Sequence, residues 1–456
     1  MVERKQRRSQ ATRRHDLEDF TDVRPAPVAA EQPAATPEQS AEQTTAEFSF
    51  TGRRGELVKI ALVNSLANLL TLGLYRFWAK TRLRRYFWSN IRIANEPLEY
   101  TGSAMELLTG FLVMLAILVP VFAVPQGALF FAKSTPDWIT SGLGFFCGFA
   151  LLALFQYGFY RIWRYRFSRT NWRGIGFRQS GSAWAYMGMT LGWLLVSITT
   201  LGLAYPWLRN AQWKYRMNNL YVGQVKAGYT GKATGLFKKW LIVYVLPVVI
   251  VGTAAFINSG PLIEFIEGID QLLAPESTRE NIRQVMLEFI TELLPFLFVL
   301  LAAVLFFFAA LVLYRIFELG FVFNHTHLGN ATFTATLKPA TVLGFYILMI
   351  LCSLILFCLL VLMAAFAAPT LIEALGETDA SLTQQYIRLV PYLAPLLIFT
   401  WYFVSSSLIS VIIIHFGTVR HICARLRLKN MVALEQSTRS PNQPPQFGEG
   451  LADALV

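Results

Sequence analysis

The sequence "TLGLYRFWAKTRLRRYFWSNIRI", residues 71–93, joins the end of an apolar segment to a run of arginines and aromatic residues. The same plan returns in "TLGLAYPWLRNAQWKYRMNNLYV", residues 200–222. At a constant offset of 129 residues, the two copies align without a gap and pair both Thr-Leu-Gly-Leu runs, Trp78 with Trp207, and the Tyr-Thr-Gly triplets that follow. Because the same residues recur at the same spacing and in the same order, the sequence predicts an internal duplication. Both copies keep one orientation, so the repeat is parallel.

Each copy is predicted to form the same series of elements. These are an apolar segment with a stripe of polar residues, a glycine turn, a basic-aromatic helix, an extended ribbon and a membrane helix. In the ribbons "IRIANEPLEYTG" and "LYVGQVKAGYTG", turn-type residues separate β-compatible runs, which predicts small β-hairpins on the cytoplasmic face. A fainter third copy is predicted from "THLGNATF", because Thr326 and Phe333 repeat the spacing of Thr170 and Phe177. The predicted organisation is a disordered cytoplasmic tail at 1–47, membrane repeat 1 at 48–176, membrane repeat 2 at 177–332, a helical hairpin or degenerate repeat 3 at 333–430, and a disordered C-terminal tail at 431–456.

The composition indicates that most of the chain lies in lipid. Of its 456 residues, 54% are hydrophobic and only 15% are charged, and the mean hydropathy is +0.45. The apolar residues form long blocks such as "FLFVLLAAVLFFFAALVLY" from residue 296, and about 20 apolar residues span a bilayer as a helix. The predicted fold class is therefore an all-α polytopic membrane protein, a helical bundle with an internal parallel duplication, six to eight membrane helices and small cytoplasmic β-hairpins.

The charges between the apolar segments predict the orientation. The net charge of +12 comes mostly from loops, so no nucleic-acid partner is predicted. The basic stretches 79–104, 161–183 and 208–239 are expected in the cytoplasm, and the acidic stretches that begin at 258 and 369 are expected outside. Both termini are then cytoplasmic. The apolar segments lie near 57–78, 106–132, 139–160, 184–207, 240–257, 293–317, 341–367 and 390–416.

Two of these segments conflict with a simple crossing. Segments 57–78 and 184–207 are basic on both sides, so each is either re-entrant or interfacial, or else crosses against the charge rule. Six membrane helices remain in the first case and eight in the second. Both segments also carry a polar stripe at helical spacing, which predicts the lining of a path. Its candidate residues are Asn64, Asn68, Thr71, Thr190, Ser197 and Thr200.

The basic-aromatic runs predict contact with membrane lipids. Amphipathic rings suit the headgroup layer, and long basic side chains reach phosphates from a helix surface. The candidates for lipid-headgroup contact are Arg76, Trp78, Lys80, Arg84, Trp207, Arg209 and Lys214.

No group of residues predicts catalysis, a cofactor or a metal site. His325, His327, His415, His421 and Cys423 could converge on a metal, but an HxH spacing by itself favours interfacial or hydrogen-bonded histidines. Glu318 follows Arg315 by three residues, which predicts an ion pair at the membrane edge. The alternative is an ionisable group that faces the bundle interior and has a function. No Walker loop, dinucleotide fingerprint, zincin helix or Gly-x-Ser-x-Gly elbow is present.

A family resemblance rests on the stretch "FSFTGRRGELVKIALVNSLANLLTLGLYRFWAKTRLRRYFW" and on the repeated motifs "TLGLAYPWLRNAQWKYR" and "YTGKATGLF". In these residues the chain resembles the YjgN family of bacterial inner-membrane proteins. The resemblance covers about residues 48–430. It implies a multi-pass fold in the bacterial cytoplasmic (inner) membrane. It implies no reaction, because the family is catalogued as a domain of unknown function.

Two functions of different classes are predicted from these features. In the first, the protein is a transporter or channel for an unidentified small solute, with the polar stripes lining its path. In the alternative, it is a non-transporting module that binds anionic lipid or a protein partner through its basic-aromatic cytoplasmic face. A membrane enzyme is not predicted, since no nucleophile or acid-base set is visible. The sequence does not predict an oligomeric state.

Overall fold

The chain alternates short β-strands with paired helices. The structure is a computed structural model that describes residues 45–131, 136–257, 260, 279–376, 400–402 and 404–431. Within these residues the same module occurs five times: a long strand, two helices and a short strand. Module 1 has β1 (Ala46–Phe50), α1 (Arg54–Leu70), α2 (Arg76–Asn90) and β2 (Ile91–Ile93); module 2 has β3 (Glu96–Tyr100), α3 (Ala104–Phe131), α4 (Asp137–Ser168) and β4 (Thr170–Trp172); module 3 has β5 (Ile175–Gln179), α5 (Ala183–Thr199), α6 (Tyr205–Asn218) and β6 (Leu220–Val222); module 4 has β7 (Val225–Tyr229), α7 (Ala233–Ile257), α8 (Arg279–Asn324) and β8 (Thr326–Leu328); module 5 has β9 (Ala331–Ala335), α9 (Pro339–Gly376), α10 (Thr400–Cys423, with a π-helical turn at Val411–His415) and β10 (Leu426–Lys429).

The ten strands of the described chain form one closed antiparallel barrel. Neighbours in sequence are neighbours in the barrel, and β10 returns to β1. At this closing joint Ala46 pairs with Leu428 and Glu47 pairs with Arg427. A closed barrel leaves no unpaired strand edge, so strands this short can persist because every one has two partners.

A repeated backbone hydrogen bond shows that the modules are equivalent. In each module, the residue after the long strand donates its N–H to the carbonyl of the residue before the short strand. The bonds are Thr51 to Asn90 (3.0 Å), Thr101 to Arg169 (2.9 Å), Ser180 to Asn219 (2.8 Å), Thr230 to His325 (2.9 Å) and Thr336 to Arg425 (3.1 Å). Each bond joins the start and the end of a helix pair at the barrel. Both helices of every module therefore lie on the same side of the barrel.

Alternating side chains fill the barrel with apolar groups. Trp172, Val222, Ala227, Leu328 and Leu428 are buried in a single cluster inside it. Period-two alternation directs these residues inward while their neighbours face out. Since each buried aliphatic or aromatic side chain contributes roughly 1.5–3 kcal/mol, this cluster stabilises the closed barrel.

The Tyr-Thr-Gly triplets provide the turn from strand to helix. The Tyr100 ring folds back over Gly102, and a Cβ at that glycine would lie 2.5 Å from the tyrosine hydroxyl oxygen. Tyr229 covers Gly231 in the same way. Glycine is required there because any larger residue would displace the ring.

The helices form a ring above the barrel, in which each helix packs against the next and α10 packs against α1. Six of the described helices are long and apolar enough to cross a membrane, and they are the pairs of modules 2, 4 and 5. Only 6–22% of the residues in these spans are buried by protein. The remaining apolar surface requires lipid around it.

Modules 1 and 3 carry shorter helix pairs. Helix α1 has 17 residues, a length of about 26 Å at 1.5 Å per residue, below the roughly 30 Å of a hydrocarbon core. Its chain turns back through Leu72 (φ 51°) and Gly73 (φ 87°), and module 3 repeats this turn at Leu201 and Gly202. Leu72 is 96% exposed and Leu201 is 79% exposed. We expect both tips to dip into the hydrocarbon layer and return to the barrel.

The predicted all-α fold class is wrong, because the hairpins expected as small separate elements join into the closed barrel. Each strand has only three to five residues. Its partner in the same module is separated from it in sequence by the two helices of that module. Strands β1 and β10 pair antiparallel although no turn connects them, because they lie at opposite ends of the described chain. Local sequence patterns carry no signal for such a pair.

The predicted domain boundaries stay a prediction. The tails predicted to be disordered, 1–47 and 431–456, lie outside the described residues except for residues 45–47 and Met431. Ala46 and Glu47 belong to β1. The acidic stretches that begin at 258 and 369 also lie largely outside them.

Candidate functional site

A cavity of about 430 Å³ lies where the barrel opens toward the helices. Barrel residues such as Leu98, Phe177 and Ala227 form its floor and walls. Its roof comes from the last turns of α2, α4, α6 and α8, which end one residue or less before their short strands. The roof residues are Trp88, Trp163, Arg166, Phe167, Trp213, Met217, Leu319, Val322 and Phe323.

Helical spacing places these roof residues above the barrel. Trp163 and Phe167 are four residues apart, as are Trp213 and Met217, so each pair shares one helix face. The rings of Trp163 and Trp213 meet edge to face, with centroids 5.8 Å apart and an interplanar angle of 79°. This contact joins modules 2 and 3 at the cavity wall.

Few polar groups reach the cavity, and its hydroxyls are bonded within the protein. Trp88 Nε1 donates to Thr170 Oγ1 (2.9 Å), which donates to the carbonyl of Arg166 (2.8 Å). Thr326 Oγ1 donates to the carbonyl of Val322 (2.7 Å). Among the described lining residues, Arg166 is the single charged one. The cavity can therefore hold an apolar group beside a fixed positive charge.

A buried ionic network lies behind Trp213. The Glu318 carboxylate, whose side chain is 2% exposed, accepts from Arg209 at 2.8 Å and from Trp213 Nε1. Arg315 reaches its other oxygen at 3.4 Å, and Arg209 also donates to Gln212 Oε1 at 2.7 Å. Burial lowers the pKa of Arg209, but the Glu318 carboxylate, together with Tyr205 and Tyr186, more than offsets this and raises that pKa above its usual value.

Arg216 occupies an aromatic box in the same region. Its guanidinium carbon lies 4.8–5.4 Å from the ring centroids of Phe159, Trp163, Tyr186 and Trp213, and it donates to the Tyr186 hydroxyl. Arg216 is only 1% exposed, and burial lowers its pKa. Cation–π contacts offset part of this desolvation.

The polar-stripe candidates of module 1 lie in the α1–α2 pair and not among the cavity-lining residues. Buried Asn64 donates to the carbonyl of Ala79 at 3.4 Å. The backbone carbonyl of Asn68 accepts a hydrogen bond from Gly73 N–H at 2.7 Å. Thr71 Oγ1 accepts from Tyr75 N–H at 3.0 Å. The Thr71 side chain therefore holds the tip turn, and the Asn68 Oδ1 is buried without a hydrogen-bond partner among the described residues.

Module 3 repeats this arrangement with smaller polar groups. Thr200 Oγ1 accepts from Ala204 N–H at 3.1 Å, as Thr71 does at the other tip. Thr190 and Ser197 are buried, and within the described chain neither hydroxyl has a hydrogen-bond partner. A solute path along these residues stays a prediction.

The headgroup candidates divide into exposed and packed residues. Trp78 and Lys214 are exposed, and Lys80 is half-buried. Arg76 lies over the rings of Phe77 and Phe111, Arg84 donates to the Tyr100 hydroxyl (3.1 Å), Trp207 packs on Phe237, and Arg209 binds Glu318. Lipid-headgroup binding by this set stays a prediction.

The sequence did not single out the cavity residues or Arg216. Their signal was present as tryptophans and arginines at helical spacing in the basic stretches, but a sequence does not show which face meets a barrel. Among the residues that the structure describes, no three His, Cys, Asp or Glu side chains lie close enough to share a metal ion.

This architecture defines a class: a polytopic membrane protein whose helix pairs are mounted on a closed β-barrel. The chain belongs to the family described as "Bacterial protein of unknown function (DUF898)", whose model matches residues 45–354. The resemblance to the YjgN family is thereby confirmed, and the chain is a multi-pass protein of the bacterial inner membrane.

One relative of this chain is named as an inner-membrane protein. The "Inner membrane protein YjgN" of Salmonella typhimurium is 31% identical to this chain over 143 residues. The alignment covers 30% of this chain and 33% of that relative, so the chain matches about a third of the relative's length. No solved structure matches this chain.

Proposed function

We propose that the protein binds an anionic long-chain amphiphile of the inner membrane in the cavity at the barrel mouth. The observation that carries this proposal is an apolar wall in which Arg166 is the single charged residue among the described lining residues. Ligand sites commonly have volumes of about 300–1,000 Å³ and combine a mostly apolar lining with a few placed polar groups. The cavity of about 430 Å³ falls in this range.

The wall favours an alkyl chain over a polar solute. The hydroxyls of Thr170 and Thr326 already donate within the protein. Among the described lining residues, the Trp172 indole N–H is a buried donor without a partner. Each methylene moved from water into such a site gains about 0.8 kcal/mol. A polar solute would lose more hydrogen bonds to water than this mostly apolar lining could replace.

The charges around the cavity favour an acidic headgroup. Arg166 lines the cavity, and Arg209 and Arg216 lie behind Trp213. Within the described residues, Glu318 is the carboxylate that binds Arg209, and it also binds the half-exposed Arg315. The excess positive charge around the cavity attracts an anion. A carboxylate or a phosphate headgroup would serve equally.

The proposed orientation places the barrel on the cytoplasmic side. The three basic stretches expected in the cytoplasm supply strands β2 to β7 of one barrel, so they necessarily share a side. The positive-inside rule then supports a cytoplasmic barrel and cytoplasmic termini. Transport of a small solute, and partner binding through the basic surface, stay predictions beside this proposal.

Tryptophan fluorescence tests the proposal, because Trp88, Trp163, Trp172 and Trp213 line the cavity. A brominated long-chain carboxylic acid, added to the purified full chain at mildly alkaline pH, should quench their emission saturably. The matched brominated alcohol should bind at least tenfold more weakly. Arg166→Met should remove this preference, because a hydrogen bond to a charged group contributes about 1.5–3 kcal/mol.

A cavity-filling variant supplies the control on location. Ala227 lines the cavity and is 3% exposed, so Ala227→Leu should weaken quenching by the acid at least fivefold through overpacking. Lys226→Leu adds the same side chain at the exposed neighbouring position and should leave quenching unchanged. Equal quenching by acid and alcohol in the parent protein, or an unaffected Ala227→Leu variant, would contradict the proposal.

A further inference from the structure

A second cavity lies in the membrane-spanning part of module 5, between α9 and α10. It has a volume of about 590 Å³ and is open on one side. Five hydroxyl-bearing side chains line it in an otherwise apolar wall: Ser353, Tyr402, Ser406, Ser407 and Ser410. The ring of Phe357 packs edge to face on Tyr402, with centroids 5.5 Å apart. Small serines explain part of this lining, since they let helices approach closely.

The Ser353 hydroxyl indicates that the cleft is a binding site and not only a close contact between two helices. It is 6% exposed, and its Oγ has no hydrogen-bond partner among the described residues. A helical serine ordinarily satisfies its hydroxyl on a carbonyl of the preceding turn. A buried hydroxyl without a partner is uncommon and costs free energy, which a bound ligand with a polar oxygen would recover.

The cleft lies deep in the hydrocarbon layer. Ser353 is 14 residues beyond Pro339, where α9 leaves the barrel, and Ser410 is 13 residues before Cys423, where α10 returns. At 1.5 Å per residue both lie about 20 Å from the barrel, near the middle of the candidate membrane spans Pro339–Met363 and Thr400–Cys423. The π-helical turn Val411–His415 begins directly after Ser410, and such turns occur frequently at functional sites.

We propose that this cleft binds an uncharged long-chain molecule bearing a hydroxyl or carbonyl oxygen, with Ser353 as its hydrogen-bonding partner. No ionisable carboxylate, amine or guanidinium lines the cleft in the described chain, and an unpaired charge at this depth would be costly. The apolar wall takes the alkyl chain. Hydroxyls both donate and accept, so either kind of oxygen can bind.

Matched photoreactive probes test this site in membranes that contain the full chain. A diazirine-bearing, alkyne-tagged long-chain alcohol should label peptides that include residues 349–357 and 404–410, and the corresponding carboxylic acid should label them at least fivefold less. Ser353→Ala should lower labelling by the alcohol about fivefold, the factor for one hydrogen bond. Ser197→Ala removes another buried hydroxyl without a partner outside this cleft and should change nothing there.

Several outcomes would overturn the proposal: equal labelling by alcohol and acid in the parent chain, no effect of Ser353→Ala, or an equal effect of Ser197→Ala. The parent comparison needs no variant, so it decides even if a variant fails to fold. Arg166→Met separates this site from the barrel-mouth cavity, because it should alter labelling by the acid at the barrel mouth and leave labelling of the cleft by the alcohol unchanged.

Discussion

Replacing Glu318 with alanine is expected to lower the free energy of unfolding by about 3–5 kcal/mol, the usual cost of leaving a buried charge without its partner. The Glu318 side chain is 2% exposed and receives Arg209 at 2.8 Å, together with the indole N–H of Trp213. Its loss would leave the Arg209 guanidinium, 14% exposed, without a counter-charge. Chemical denaturation in detergent micelles, followed by tryptophan fluorescence, measures the change.

The exposed pair between Glu47 and Arg427 is the matched control. Its atoms are 3.0 Å apart, but the two side chains are 69% and 63% exposed. Because water screens such pairs, Glu47→Ala should change the free energy of unfolding by less than about 1 kcal/mol. Similar losses in Glu318→Ala and Glu47→Ala would show that the network around Glu318 is not buried as described.

Ending the chain after Arg425 is expected to abolish folding. This truncation removes β10 and exposes the edges of β1 and β9, which pair with it. It also removes the buried residues Leu426, Leu428 and Met431. At roughly 1.5–3 kcal/mol for each side chain, the loss approaches the entire stability of an ordinary domain, about 5–15 kcal/mol.

A chain ending after Met431 retains all the strands of the described barrel and is the control for this truncation. Size-exclusion chromatography of a fluorescent fusion distinguishes the two chains. The shorter one should aggregate, and the longer one should elute as the parent does. A monodisperse chain ending at Arg425 would mean that the barrel does not need β10.

The sequence predicted the parts of the fold that repeat locally. Thr71 and Thr200 recur because each hydroxyl bonds the backbone of the same tip turn. Gly102 and Gly231 recur because a tyrosine ring folds over each of them. Such constraints lie within a few residues of one another, so the repeated motifs carry them.

The barrel and the ionic network depend on contacts between distant residues. Glu318 suggested a pair with Arg315 three residues away, yet its shorter bond reaches Arg209, which is 109 residues away. The sequence did not single out Trp163 and Trp213, because an aromatic residue at a helix end suits either lipid or a barrel roof. Only the closed strand order directs them inward.

Strand closure between the two ends of the described chain is the central claim, and a disulfide tests it most directly. With Cys147, Cys352, Cys358 and Cys423 replaced by alanine, Glu47→Cys and Arg427→Cys place two thiols on directly paired residues, about 4.5–5.5 Å apart at Cα. Mild oxidation should join them, and mass spectrometry of the digested protein should detect the cross-linked peptide in most molecules.

Glu47→Cys with Glu99→Cys is the control pair. Strand β2 lies between β1 and β3, and the register also offsets the two positions along the strands. These thiols are therefore more than two strand spacings apart, beyond the reach of a disulfide. The closed barrel predicts a cross-link between positions 47 and 427 and none between 47 and 99. Absence of the first, or equal yields of both, would contradict it.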